Sequence, residues 1–133
     1  MELVTKNFLN PETLSPPKYF SQVVEVQEAK RLIYVSGQVS VDKEGNVVGV
    51  GDIKKQAEQA FSNLREALRS VNAELSDLVR LTVYLTNMED LPQVREVRRR
   101  YTDEKRPPAS TVVEIKRLGR IECMIEVEAT AAV

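Results

Sequence analysis

Apolar positions recur along this chain with two different periods. From Asp52 onward they fall at Ile53, Ala57, Ala60, Phe61, Leu64, Ala67, Leu68 and Val71. That three-to-four spacing lines one stripe of an α-helix, with Asp52 as its N-cap. The period then changes: Val79, Leu81, Val83 and Leu85 alternate with Arg80, Thr82 and Tyr84, as in a strand with one face on a core. Asp90 and Pro92 open a second helix whose inward positions are Leu91, Val94, Val97 and Tyr101. The nearby Arg95, Arg98, Arg99 and Arg100 read as a solvated face.

Both ends of the chain read as strands. Gln22 to Val26 and Leu32 to Val35 are short and β-branched, and Gln27 to Lys30 between them predicts a hairpin turn. The chain continues through Ser36-Gly37-Gln38 to Val39 and Val41, turns at Asp42-Lys43-Glu44-Gly45-Asn46, and resumes at Val47 to Val50. After the rigid joint Arg106-Pro107-Pro108, a strand is expected from Thr111 to Ile115, a turn at Gly119, and a long strand from Ile121 to Ala131. The order βββαβαββ predicts an α+β domain with a six-stranded mixed sheet and two helices packed on one face. The other face is uncovered. In the last strand it carries Glu122, Met124, Glu126, Glu128 and Thr130, while Ile121, Cys123, Ile125, Val127 and Ala129 face the helices. Burial of the open face between copies of the chain is the preferred reading.

Composition narrows the chemistry. The 133 residues fit one domain, residues 1–133, and 19 basic against 20 acidic residues leave a net charge of -1. A chain so balanced has no strong field for nucleic acid or anionic membrane. Met1 to Leu14 carries Glu2, Lys6 and Asn7 among its apolar residues, so it lacks the apolar run of a signal peptide or membrane span, and a cytoplasmic location is expected. There is no histidine, which excludes Ser-His and Cys-His catalysis and His-based metal sites. The lone Cys123 reads as a packing residue, and no metal or cofactor is expected. Any catalysis rests on carboxylate, hydroxyl, Arg, Lys or backbone groups.

Several separated motifs, in order, resemble the RidA (YjgF/YER057c) family. They are Tyr34-Val35-Ser36-Gly37-Gln38-Val39, Gly51-Asp52-Ile53, the run from Thr82 to Leu91, Pro108-Ala109-Ser110-Thr111-Val112-Val113-Glu114, and Ile125-Glu126-Val127-Glu128-Ala129. The resemblance runs from about Tyr19 to Ala131. It implies a chorismate-mutase-like fold and a homotrimer with pockets between subunits, which would cover the open sheet face. Members of the family hydrolyse reactive enamines and imines to keto acids and ammonia. An arginine holds the substrate carboxylate with its planar fork, and a glutamate on the last strand positions or activates water.

Carried onto this chain, the resemblance makes Glu126 the catalytic residue and places Ser36, Gly37, Phe20, Arg95, Ser110, Thr111 and Val112 around a small carboxylate-bearing metabolite. Ser110 stands where the arginine is expected, Phe20 where a tyrosine is usual, Val112 where a cysteine is frequent, and Arg95 where an asparagine is common. A charge-assisted contact is worth roughly 1.5–3 kcal/mol, so a hydroxyl at position 110 weakens carboxylate binding unless another guanidinium, such as that of Arg95, replaces it. Two readings follow: an imine deaminase with altered substrate, or a trimer that binds a small metabolite without turnover. Glu126 is correspondingly either a pocket residue or an ordinary strand carboxylate. A ribonuclease, also associated with the family, fits poorly with a chain that has no histidine and near-zero net charge.

Overall fold

The computed structural model describes residues 4–133, so Glu2 and its neighbours lie outside the described residues. Six strands and two helices follow one another as β1 (Thr5–Leu9), β2 (Val23–Gln27), β3 (Leu32–Val39), α1 (Ile53–Arg69), β4 (Leu78–Leu85), α2 (Leu91–Arg98), β5 (Ala109–Glu114) and β6 (Ile125–Ala132). The order βββαβαββ is therefore present, but its first strand, Thr5–Leu9, is one the apolar pattern did not mark, and the strand expected at Val47 to Val50 is not among the six.

The predicted hairpin between residues 22–26 and 32–35 does not form. β2 pairs instead with β1, antiparallel, from Thr5 opposite Gln27 to Leu9 opposite Val23. β3 turns away because its start is tied to the C-terminus: the Lys30 and Arg31 amides both donate to the Val133 carbonyl, at 2.8 and 2.9 Å. Asp42 organises the expected turn, accepting from the Glu44 and Asn46 amides. Beyond it, however, only a single bridge joins Val41 to Val47. The expected six-stranded sheet is thus divided into a four-stranded sheet in the order β3-β6-β4-β5 and the two-stranded β1-β2. They are linked by one bridge between Ser21 and Ala109. β4 and β5 run parallel and the remaining pairs antiparallel, so the main sheet is mixed.

Both helices pack on one face of that sheet. α1 is capped by Asp52, whose carboxylate accepts from the Lys55 amide, and buries Ile53, Ala57, Ala60, Phe61, Leu64 and Leu68 against Leu81, Val83, Ile125 and Val127. A fully buried side chain such as Phe61 or Leu64 contributes roughly 1.5–3 kcal/mol. Phe61 also stacks on Tyr101, with ring centroids 5.5 Å apart. The polar member of this stripe is Gln56. Its amide donates to the Gly49 and Glu122 carbonyls and accepts from the Met124 amide, stapling the approach to β6 onto α1. β6 accordingly begins at Ile125, and Ile121, expected inside a strand, lies in a turn and is 75% exposed. The opposite face of the sheet carries Tyr34, Arg80, Thr82, Tyr84, Glu128 and Thr130. No helix among the described residues is long and apolar enough to cross a membrane.

Candidate functional site

The parallel register of β5 on β4 sets Ser110 beside Leu81 and Val112 beside Val83. Leu81 and Val83 point into the core, so Ser110 and Val112 point the same way, toward α2 at the sheet edge. A cavity of about 220 Å³ opens there, walled by Phe20, Arg95, Arg98, Ser110 and Val112, with Lys18 and Tyr19 alongside. The Pro107-Pro108 joint positions Phe20. Ser21 donates its hydroxyl to the Pro107 carbonyl at 2.6 Å and its amide to the Pro108 carbonyl at 3.2 Å, clamping the loop before β2 against the start of β5. Tyr19 in that loop adopts φ 73°, a left-handed conformation that is unusual for a bulky residue and is held only by its surroundings. The guanidinium of Arg95 lies 4.7 Å above the Tyr19 ring, closing one side of the cavity.

Arg98 departs from the solvated face expected of its neighbours: it is 7% exposed. Its Nη1 donates to Ser110 Oγ at 3.1 Å, and its Nη2 is buried without a partner. Burial, with Arg95 nearby, pulls its pKa down to about 10, which leaves it cationic at neutral pH. The sequence held a usable signal for this. Arg98 stands four residues after the buried Val94, on the same helical face, but an arginine among arginines reads as solvent-facing.

Gly37 and Glu126 meet on the other side of the sheet, with Ser36 beside Gly37 in β3. The β3–β6 register slips between Val35 and Gln38, so Ser36 and Gly37 fall in the irregularity. Glu126 alternates with the core residues Ile125 and Val127 and lies opposite Tyr84. Its carboxyl rests on Gly37 so closely that a Cβ there would lie 2.6 Å from Cδ and 2.8 Å from Oε1. Tyr84 donates its hydroxyl to Glu128 at 2.5 Å, a bond that raises the phenol pKa above its ordinary value. Thr111 is on this face as well, accepting from Arg80 Nη2 at 2.8 Å.

The eight residues singled out from sequence thus divide into two groups. Phe20, Arg95, Ser110 and Val112 share the cavity under α2, and Ser36, Gly37, Thr111 and Glu126 share the open face. A single chain does not bring Ser110 to Glu126. Cys123 is buried, and burial pushes its thiol up, in keeping with a packing role. Among the described residues no group of three or more acidic or Cys side chains is gathered to hold a metal.

Fold and cavities define a small α+β domain with a cationic, partly apolar recess at its sheet edge and a carboxylate-bearing bulge on its open face. The sequence profile of the family described as Endoribonuclease L-PSP matches residues 11–133. A RutC family protein of Pyrococcus abyssi is 35% identical over 121 residues, covering 91% of this chain and 89% of that protein. The 2-iminobutanoate/2-iminopropanoate deaminase of Mus musculus is 32% identical over 114 residues, 84% of this chain and 80% of that one. Among solved structures, a protein of unknown function of the Rid family from Yersinia pestis, YyfB, superposes with a TM-score of 0.86 at 34% identity, covering 96% of this chain and 98% of that chain. The chain belongs to the Rid (YjgF/RidA) family.

Proposed function

We propose that this protein is a deaminase of small 2-imino acids and their enamine tautomers, acting in pockets between the subunits of a homotrimer. The observation that carries the reading is the division of the candidate residues over the two faces of one sheet. Each face offers half a site, and a second copy of the chain supplies the other half in a heterologous, ring-closing contact. The names of the Mus musculus and Dermatophagoides farinae relatives, 2-iminobutanoate/2-iminopropanoate deaminase, support the substrate class.

In this mechanism the Glu126 carboxylate, steadied against Gly37, accepts a proton from water as the water oxygen attacks the C=N carbon. The π electrons pass to nitrogen, which takes up that proton to give a carbinolamine. Glu126 then takes the proton of the new hydroxyl and returns it to nitrogen, so that the C–N bond breaks, ammonia leaves and the C=O bond of the keto acid forms. Imine and water are consumed, keto acid and ammonia are released, and no redox partner is needed. The cavity lined by Phe20 and Val112 holds the aliphatic part of the substrate. The endoribonuclease of the family description has little support in a chain with no histidine and a net charge of -1.

The test generates 2-iminobutanoate in situ and follows its decay with and without protein, then repeats the assay on Glu126→Gln, on Ser110→Trp, which fills the cavity, and on a co-refolded equal mixture of the two. Each variant alone is expected to be inactive. The mixture is expected to recover about one-quarter of wild-type activity, since one interface in four draws both intact halves from different copies. No recovery, with both variants trimeric, rejects the shared pocket. Ligand-induced thermal stabilisation of the wild type without turnover favours the non-catalytic metabolite binder.

A further inference from the structure

We infer that the cavity between Phe20, α2 and β5 is a carboxylate seat whose anchoring cation is Arg98, delivered by the helix and not by the strand. The inference rests on the deaminase reading for the class of ligand; the case for an anion comes from the cavity itself. Its walls include three cations, Lys18, Arg95 and Arg98, and no Asp or Glu. Arg95 lies over the Tyr19 ring, while the two arginines that follow α2 have acidic partners, Arg99 meeting Glu104 at 2.8 Å and Arg100 pairing with Glu58. Arg98 has none. One of its N–H groups reaches the neutral Ser110 hydroxyl, and Nη2 is buried without a partner.

A buried cation without a counterion is costly, and removing its charge altogether is often stabilising. Its retention in this position is explained by a ligand that supplies the negative charge. The geometry suits that ligand. Ser110 is small enough to leave the recess open, and its hydroxyl accepts from Arg98 while keeping its own O–H to donate to an incoming oxygen. A carboxylate entering past Arg95 meets Ser110 Oγ first and the planar guanidinium behind it, which matches the two carboxylate oxygens. The remaining wall, formed by Phe20, Val83, Leu91 and Val112, is apolar. The volume of about 220 Å³ holds roughly seven water-sized groups at ~30 Å³ each, the scale of a four-carbon keto or imino acid. Position 110 and position 98 act together: the strand gives up bulk and charge, and the helix supplies the charge from one layer deeper.

The experiment titrates 2-oxobutanoate, the stable keto acid of the proposed reaction, into the full-length protein by calorimetry, with 2-oxobutanamide as the uncharged control. Wild type is expected to bind the acid and not the amide. Arg98→Met is expected to weaken acid binding about ten- to a hundredfold while raising Tm by several degrees, because an unpaired buried charge is replaced by an apolar side chain of similar length. A merely structural arginine would lower Tm on removal. Arg98→Lys, which keeps the charge without the fork, should fall between the two, and Arg100→Met should bind as wild type does. Unaltered acid binding in Arg98→Met, or equal binding of acid and amide, overturns the proposal. If 2-iminobutanoate is not hydrolysed but the acid still depends on Arg98, the carboxylate seat stands and the deaminase reading fails. If hydrolysis proceeds at the wild-type rate in Arg98→Met, the reverse holds.

Discussion

Gly37→Ala isolates the contribution of the bulge to catalysis. Gly37 is absent from the positive-φ glycines, so its backbone tolerates alanine; the constraint is the approach of Glu126. A Cβ at position 37 would sit 2.6 Å from Glu126 Cδ and 2.9 Å from Cγ, and the carboxyl must retreat by about 0.8 Å to regain ordinary contact at 3.4 Å. Moving a side chain off its preferred rotamer costs about 0.5–1.5 kcal/mol. Replacing a strand glycine by alanine returns roughly 0.5–1 kcal/mol through the unfolded state. The two nearly cancel, so Tm should change by less than about 4 °C. Catalysis has no such offset. A displacement of about 1 Å in a positioned group lowers the rate on the order of a hundredfold; in the proposed mechanism Glu126 acts on water, so the loss should fall on kcat with KM little altered. The assay is the in situ 2-iminobutanoate decay, run beside thermal unfolding. Gly119→Ala serves as control, since a Cβ there meets nothing within 4 Å. Gly37→Ala retaining activity within about threefold of wild type would refute the role given to the Gly37–Glu126 contact.

Two further outcomes bear on the scaffold and on the open face. Gln56→Ala removes the group that bonds the Gly49 and Glu122 carbonyls and the Met124 amide. It should lower stability by about 3 kcal/mol, seen in denaturant unfolding as a lower midpoint. Spectrophotometric titration should show the Tyr84 phenol ionising above its ordinary value because its proton is held by Glu128. Its folded-state pKa is raised, so the stabilisation is present below the unfolded value of about 10 and is lost as pH climbs through the folded one. Glu128→Ala should bring that phenol back to ordinary behaviour, and a titration unchanged by the substitution would discount the bond.

The helices and the central strands were legible because their signals are local. The 3.6-residue stripe from Ile53 to Leu68 and the alternation from Val79 to Leu85 each record which side chains face a core, whatever that core is made of. The alternation of the last strand likewise placed Glu126 opposite the core residues Ile125 and Val127, and the missing histidine removed whole classes of chemistry. Partner choice is not local. β2 lies next to β3 in sequence yet pairs with Thr5–Leu9, a five-residue strand with too little apolar alternation to stand out, because the C-terminus holds the start of β3 beside β6. The site shows the same limit. The motifs singled out candidate residues, while the parallel register of β5 on β4 decided that Ser110 and Glu126 look out from opposite faces. Arg98, one charge in a run of arginines, became a buried guanidinium only because the turn of α2 carries it under the strand where Ser110 leaves room.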